Sequence, residues 1–174
     1  CSSTTCPTWP RHEPRQAAND HLLWEQKMGL RKLFKTDKRF ETEGVVLDYG
    51  ETRIRIARAG GANKRYIKAL DKATKPYRRA IATGAFSDER ANEILRRVYA
   101  DTIVLNWETK RGGEWLPGID PEDLGVEGAE LQPVTAENIV KVFTNLPDLF
   151  SDVQQQAQSI ALFRSEVDEA AAGN

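Results

Sequence analysis

The sequence predicts an α+β fold that is mainly α, with an N-terminal β-hairpin followed by about four helices. Two short runs of strand-forming residues, at 44–49 and 52–58, indicate the hairpin, and the Gly-Glu pair at 50–51 indicates its turn. The second run alternates isoleucines with arginines, so one of its faces is apolar. From residue 63 to 163, apolar residues recur at spacings of three and four, which is the period of amphipathic helices.

The length and composition fit one domain, which is expected to span residues 28–174. The 174 residues are 40% hydrophobic, which is enough for one core and too little for two. No run approaches the roughly 18 apolar residues that cross a bilayer, so no membrane contact is expected.

Residues 1–27 are expected to be a disordered leader that lies upstream of the native protein or was added to it. They hold three prolines and no hydrophobic period, and the only methionine of the chain follows at Met28. The leader contains every cysteine and histidine of the chain, and the spacing of these residues fits no known metal site. The four residues are Cys1, Cys6, His12 and His21.

The chain after the leader lacks the residue types that most catalytic sites need. Without cysteine or histidine, zinc-finger spacing, cysteine nucleophiles and Ser-His-Asp triads are excluded there. No glycine pattern matches a phosphate-binding loop. Carboxylates could still bind magnesium, but Asp120, Glu122 and Asp123 are expected to be solvated charge in a loop. We therefore expect a non-enzymatic protein without a cofactor or a bound metal.

A basic amphipathic helix is predicted from Asn63, its N-cap, to about residue 80. Pro76 is expected to kink or split it. Its apolar stripe, expected to be buried, comprises Tyr66, Ile67, Leu70, Thr74, Tyr77 and Ile81. Its basic face comprises Lys64, Arg65, Lys68, Lys72, Lys75 and Arg79.

The second half of the chain is expected to be helical around one long loop. A helix begins at Ser87-Asp88 and is expected to end near Trp107. Five glycines and three prolines then predict a long, mobile acidic loop over residues 108–133. Thr135 caps a further helix, and Pro147 ends that helix and begins the last one.

Opposite charges are concentrated in two parts of the chain. Residues 28–80 contain 15 Lys and Arg against 6 Asp and Glu, whereas residues 81–174 contain 7 against 17. One interpretation is that the two parts pack together with solvated faces, and the other is that they bind partners. Contacts between neighbouring copies would be screened by salt, so weak, salt-sensitive self-association is expected.

Four stretches stand in a recognisable order between residues 47 and 166: LDYGETRIRIARAGGANKRY, KPYRRAIATG, VYADTIVLNWE and PVTAENIVKVFTNLPDLFSDVQQQAQSIALFRSE. They resemble the tail assembly chaperones, or closely allied tail-region proteins, of long-tailed bacteriophages. The resemblance covers residues 28–174, and none of its motifs is a catalytic signature. The loop after Trp107 is longer here than in that pattern.

The resemblance implies a non-enzymatic role in tail assembly. Such a protein binds the tape measure protein and helps recruit tail tube subunits in the host cell cytoplasm, and it is absent from the mature virion. Members are often made in two lengths by a translational frameshift.

A chaperone for a long helical client needs exposed apolar grooves, which large apolar side chains would line. The candidate contacts are Trp107, Phe143, Leu146, Leu149, Phe150 and Phe163. The alternative place for each of them is the core, where large apolar residues are usually buried.

The alternative hypothesis is a nucleic-acid-binding module that uses the basic helix at residues 63–80. Its cations are interleaved with Tyr66 and Tyr77, a combination that suits single-stranded nucleic acid. The acidic half of the chain would repel the same phosphates, so nucleic acid is the less expected partner.

Overall fold

The computed structural model describes Leu30 and residues 34–164, and it confirms an α+β fold that is mainly helical. The described residues from Lys35 onwards form one compact unit. The leader predicted at residues 1–27 lies outside the described residues. Among the helices of the described part, none is long and apolar enough to span a membrane.

The strands form one antiparallel sheet in the order β1-β2-β3-β4, and helices precede, interrupt and follow it. The elements are α1 Lys38–Glu43, β1 Val45–Asp48, β2 Thr52–Ile56, α2 Lys64–Thr74, α3 Arg78–Ala82, α4 Asp88–Thr102, β3 Val104–Arg111, β4 Glu114–Pro117, α5 Ala136–Asn145 and α6 Pro147–Gln158. Short 3-10 turns lie at Lys75–Tyr77, Glu122–Leu124 and Ala161–Phe163.

The predicted hairpin is present as β1 and β2. Leu47 pairs with Ile54, and Val45 pairs with Ile56, so these four apolar side chains share one face. The other edge of β2 pairs with β3. The hairpin is therefore part of a larger sheet, which overcomes the marginal stability of two strands alone.

The prediction of a helix that ends near Trp107, followed by a loop, was wrong. α4 ends at Thr102, and the chain continues as β3, in which Trp107 pairs with Ile54 of β2. Gly112 and Gly113 have φ angles of 60° and 90° and form a two-residue turn into β4. The glycines that suggested a loop thus make a tight hairpin turn, because glycine adopts positive φ without strain.

The remainder of the expected loop at 108–133 is also tied to the fold. Ile119 and Gln132 exchange two backbone hydrogen bonds, at 2.9 and 2.8 Å, and form an isolated antiparallel bridge. Ile119 and Leu124 are both buried in the core. This part of the segment therefore contributes one backbone bridge and two core residues, which its glycine and proline content did not indicate.

The predicted helix starts at Asn63 and Thr135 and the predicted interruptions at Pro76 and Pro147 are confirmed. Asn63 and Thr135 each accept, through a side-chain oxygen, the backbone N–H of the third residue along, at 3.3 and 3.2 Å. Pro147 occupies the first position of α6, where its missing N–H leaves no intrahelical bond unmade. Pro76 splits the basic run into α2, a 3-10 turn and α3.

The core joins the inner face of the sheet to the helices that follow it. A series of ring contacts crosses it, with centroids 4.9 to 6.5 Å apart. In order, the rings are Tyr66, Tyr99, Phe150, Phe143 and Trp107. This series connects α2, at the surface, with β3 in the middle of the sheet.

A buried ion pair joins α1 to the segment that leads into α2. Glu41 is 3% exposed and pairs with Arg58. The Glu41 carboxylate also accepts hydrogen bonds from the Thr36 hydroxyl, at 2.5 Å, and from the N–H of Ala62, at 2.6 Å. Burial alone would raise the pKa of Glu41, but these three partners together lower it below its ordinary value. A Cβ on Gly61 would lie 2.6 Å from the same carboxylate, so glycine is required there.

Candidate interaction surface

Most of the candidate partner contacts lie in the core. Four of the six are buried, at 0 to 4% exposure: Trp107, Phe143, Phe150 and Phe163. The structure corrects their assignment to a client-binding surface, because the sheet and neighbouring helices cover their rings. Leu146 is 39% exposed and Leu149 is half-buried, and both lie at the corner between α5 and α6.

The basic residues of α2 and its extension are exposed at the surface. They are Lys64, Arg65, Lys68, Lys72, Lys75 and Arg79. Lys64, Lys68 and Lys72 follow one another at a spacing of four, so they share one flank of α2. None of these three ammonium groups forms an ion pair with any residue that the structure describes. Their charge is therefore available to a partner.

The apolar stripe predicted along α2 and α3 is less buried than expected. Ile67 and Ile81 are about half exposed, and no residue of α2 is buried. The reason is that α2 packs mainly against α4, which covers only one of its sides. The two helices consequently leave an open face between them.

That face contains an open groove with a volume of about 470 Å³. Its apolar lining comprises Ala69, Ala73, Pro76 and Tyr77 from the α2 side and Ile94 and Val98 from α4. Lys72, Arg97 and Asp101 complete the lining. On each helix these positions recur at three and four, so each helix contributes one continuous wall.

Polar contacts close both ends of the groove. At one end, the guanidinium of Arg65 donates a hydrogen bond to the backbone carbonyl of Asp101 at 3.1 Å. At the other end, the guanidinium of Arg90 donates to the Tyr77 hydroxyl at 3.0 Å, and the Tyr77 ring packs on Phe86 with centroids 5.2 Å apart. These contacts bridge the α2 side and the α4 side at both ends of the groove.

The two lips of the groove carry different charges. On the α4 side, Arg97 pairs with both Asp101 and Glu137 at 3.0 Å, which leaves that lip with one excess negative charge. Hydrogen bonds to these two carboxylates raise the pKa of Arg97, so it stays fully charged. On the α2 side, Lys68 and Lys72 remain unpaired among the described residues. One lip is therefore cationic and the other weakly anionic.

A second, mostly polar cavity of about 740 Å³ lies beside the segment that follows β4. Arg111 and Asp120, paired at 2.5 Å, lie at its side together with Glu122. Burial raises the pKa of Asp123, and the neighbouring carboxylates of Asp120 and Glu122 raise it further. Within residues 34–164, no three acidic, histidine or cysteine side chains are grouped so that they could hold a metal ion.

Comparison with known proteins places the chain in a family. Residues 61–174 match the family model described as YdaY prophage protein. The chain belongs to this family. The protein is therefore phage-derived, which is the broader part of what the resemblance to phage tail proteins implied. No curated protein and no solved structure matches the chain.

The YdaY match contains the whole groove. It begins three residues before α2 and continues beyond α4, so both walls and both closed ends fall inside the family's part of the chain. It leaves out α1, β1 and β2. The groove therefore belongs to the part of the fold that defines the family.

The sequence did not reveal the groove. Its hydrophobic spacing predicted the basic helix and the helix that begins at Ser87-Asp88, but it gave Ala69 and Ala73 no role and did not place the two helices side by side. The sequence feature that could have indicated the groove is the pair Ala69 and Ala73, spaced by four and next to Lys68 and Lys72. Small side chains leave space on a helix face that large side chains would fill. That signal alone does not show which neighbour lies opposite.

Proposed function

We propose that this phage-derived protein is a non-enzymatic tail assembly chaperone. In this proposal it binds the tape measure protein and helps recruit tail tube subunits in the host cell cytoplasm, and it is absent from the mature virion. The observation that supports the proposal best is the groove between α2 and α4, with its apolar walls and charged lips.

A chaperone of this kind must cover apolar surface on its client without burying its own contact site. The proposed contacts are accordingly the walls of the groove, since the large aromatic rings at the C-terminal helices are used in the core. An apolar floor with charged lips provides affinity through desolvation and selectivity through charge. The groove is therefore the surface that we expect the client polypeptide to contact.

Co-expression with the tape measure protein of the same prophage is expected to raise the soluble fraction of that protein several-fold, and the two proteins are expected to co-purify. Ala73→Arg should abolish both effects, because it places a guanidinium among the apolar walls of the groove. Ala161→Arg is the matched control, since Ala161 is exposed and lies outside the groove. A tape measure protein that stays equally insoluble with the wild-type partner would contradict the proposed function.

The second candidate function is nucleic-acid binding, which the exposed cations of α2 favour. The tyrosines that would stack on bases are already engaged: Tyr66 contacts Tyr99 edge to face at 5.8 Å, and Tyr77 packs on Phe86. We therefore expect no retention on single-stranded DNA at about 0.15 M salt. Retention that weakens steeply as salt rises and disappears in Lys68→Glu would favour the nucleic-acid hypothesis instead. Weak, salt-sensitive self-association stays a prediction.

A further inference from the structure

We propose that the groove between α2 and α4 binds one amphipathic helix of its partner, about three turns long, with acidic side chains on the flank that faces α2. This inference rests on the proposed function, since it states the chemistry of the client segment.

The conformation of the partner segment can be inferred from the walls of the groove. Both walls are helical: α4 forms one, and α2 with the 3-10 turn that follows it forms the other. Most backbone groups of the walls are therefore bonded within the helices, and the carbonyl of Asp101 already accepts from Arg65. A strand laid in the groove would find no backbone donors or acceptors, so its own amide groups would lose their hydrogen bonds to water without replacement. A helix bonds its own backbone and presents only side chains, so it is the conformation that this groove accepts.

The length follows from the two closed ends. Arg65 marks one end and Tyr77 the other, and at the helical rise the residues between them span about 18 Å. A partner helix of about 12 residues has the same length. The volume of about 470 Å³ admits a row of side chains but not a helix backbone, so the partner lies along the groove and inserts one apolar row over Ala69 and Ala73.

The charge pattern of the partner helix can be inferred from the charges on the two lips of the groove. Lys68 and Lys72 are unpaired among the described residues and lie on the flank of α2 next to the groove. On the opposite lip, Arg97 is already held by two carboxylates. A partner helix therefore needs acidic residues along one flank and neutral or basic residues along the other. This asymmetry selects one orientation of the helix, because the reverse orientation would bring the acidic flank of the helix against the anionic lip.

The probe is a fluorescent, helix-constrained peptide of about 14 residues, because a free helix of that length is marginal in water. It carries leucines in one row, glutamates on one flank and lysines on the other, and the control peptide has glutamine for every glutamate. The double variant Lys68→Glu/Lys72→Glu is expected to bind the acidic peptide at least about tenfold more weakly than the wild type does, as measured by anisotropy titration.

The matched protein control is Lys35→Glu/Lys141→Glu, which makes the same charge change at two exposed lysines outside the groove. It should bind the acidic peptide within about twofold of the wild type at the same salt concentration. Circular dichroism of all variants confirms that they are folded. The third variant, Ala73→Trp, fills the groove without changing its charge and should also abolish binding of the peptide.

Equal affinity of the acidic peptide for the wild type, the lysine variant and Ala73→Trp would overturn the inference, and so would an absence of binding. If the wild-type protein nevertheless solubilises the tape measure protein, the proposed function stands and only the groove chemistry is wrong. If the peptide binds as expected but the tape measure protein is not captured, the groove chemistry stands and the proposed function is wrong.

Discussion

Replacing Phe143 with alanine is expected to lower the free energy of unfolding by about 3 to 5 kcal/mol. The ring is fully buried and lies between two other aromatic side chains, with its centroid 4.9 Å from that of Phe150 and 6.5 Å from that of Trp107. Removing it leaves a cavity that a sheet on one side and two helices on the other cannot close. The loss combines the transfer free energy of the ring with the cost of the cavity.

Urea denaturation of the Phe143→Ala variant measures this change. The control is Leu146→Ala at the end of the same helix, where the side chain is 39% exposed and the expected loss is below about 1 kcal/mol. A small loss of stability in Phe143→Ala together with a loss of client binding would contradict the assignment of this ring to the core.

Arg58→Met is the second substitution with a large expected effect, about 3 to 5 kcal/mol of lost stability at neutral pH. Methionine retains much of the volume of the arginine stem but removes the charge that compensates Glu41, which is 3% exposed. The carboxylate then remains buried with fewer partners. The control is Arg39→Met on α1, the helix that also carries Glu41. The ion pair between Arg39 and Glu43 is exposed and should contribute less than about 1 kcal/mol.

The pH dependence separates charge from packing in this variant. In the wild type the folded-state pKa of Glu41 is lowered, so its contribution to stability is present above the unfolded pKa of about 4.3 and is lost as the pH falls towards the folded pKa. Removing Arg58 takes away part of what lowers the folded pKa of Glu41, so this pKa should lie higher in the variant than in the wild type, and protonation should relieve the buried charge sooner as the pH falls. The difference in stability between wild type and variant should therefore shrink as the pH falls from 7 through the folded pKa of the variant. A constant difference would show that lost packing causes the effect.

The sequence alone determined the local features of this protein. Asn63 and Thr135 cap the helices that they were predicted to cap. Pro76 and Pro147 interrupt the helical structure at the predicted positions. These features depend on contacts within about four residues or on the fixed geometry of proline, so nothing distant in the chain is needed to produce them. The phage origin could also be inferred, since it followed from the order of motifs.

The tertiary structure decided the features that depend on distant partners. β3 is a strand because Trp107 pairs with Ile54, far away in sequence, and a short apolar run does not show whether such a partner exists. Hydrophobic spacing likewise identified Phe143 as a residue whose side chain must be shielded from water. It did not show whether the protein's own core or a bound client shields this side chain. The groove needed two helices to be brought together, because Ala69 and Ile94 acquire a common surface only when α2 and α4 pack side by side.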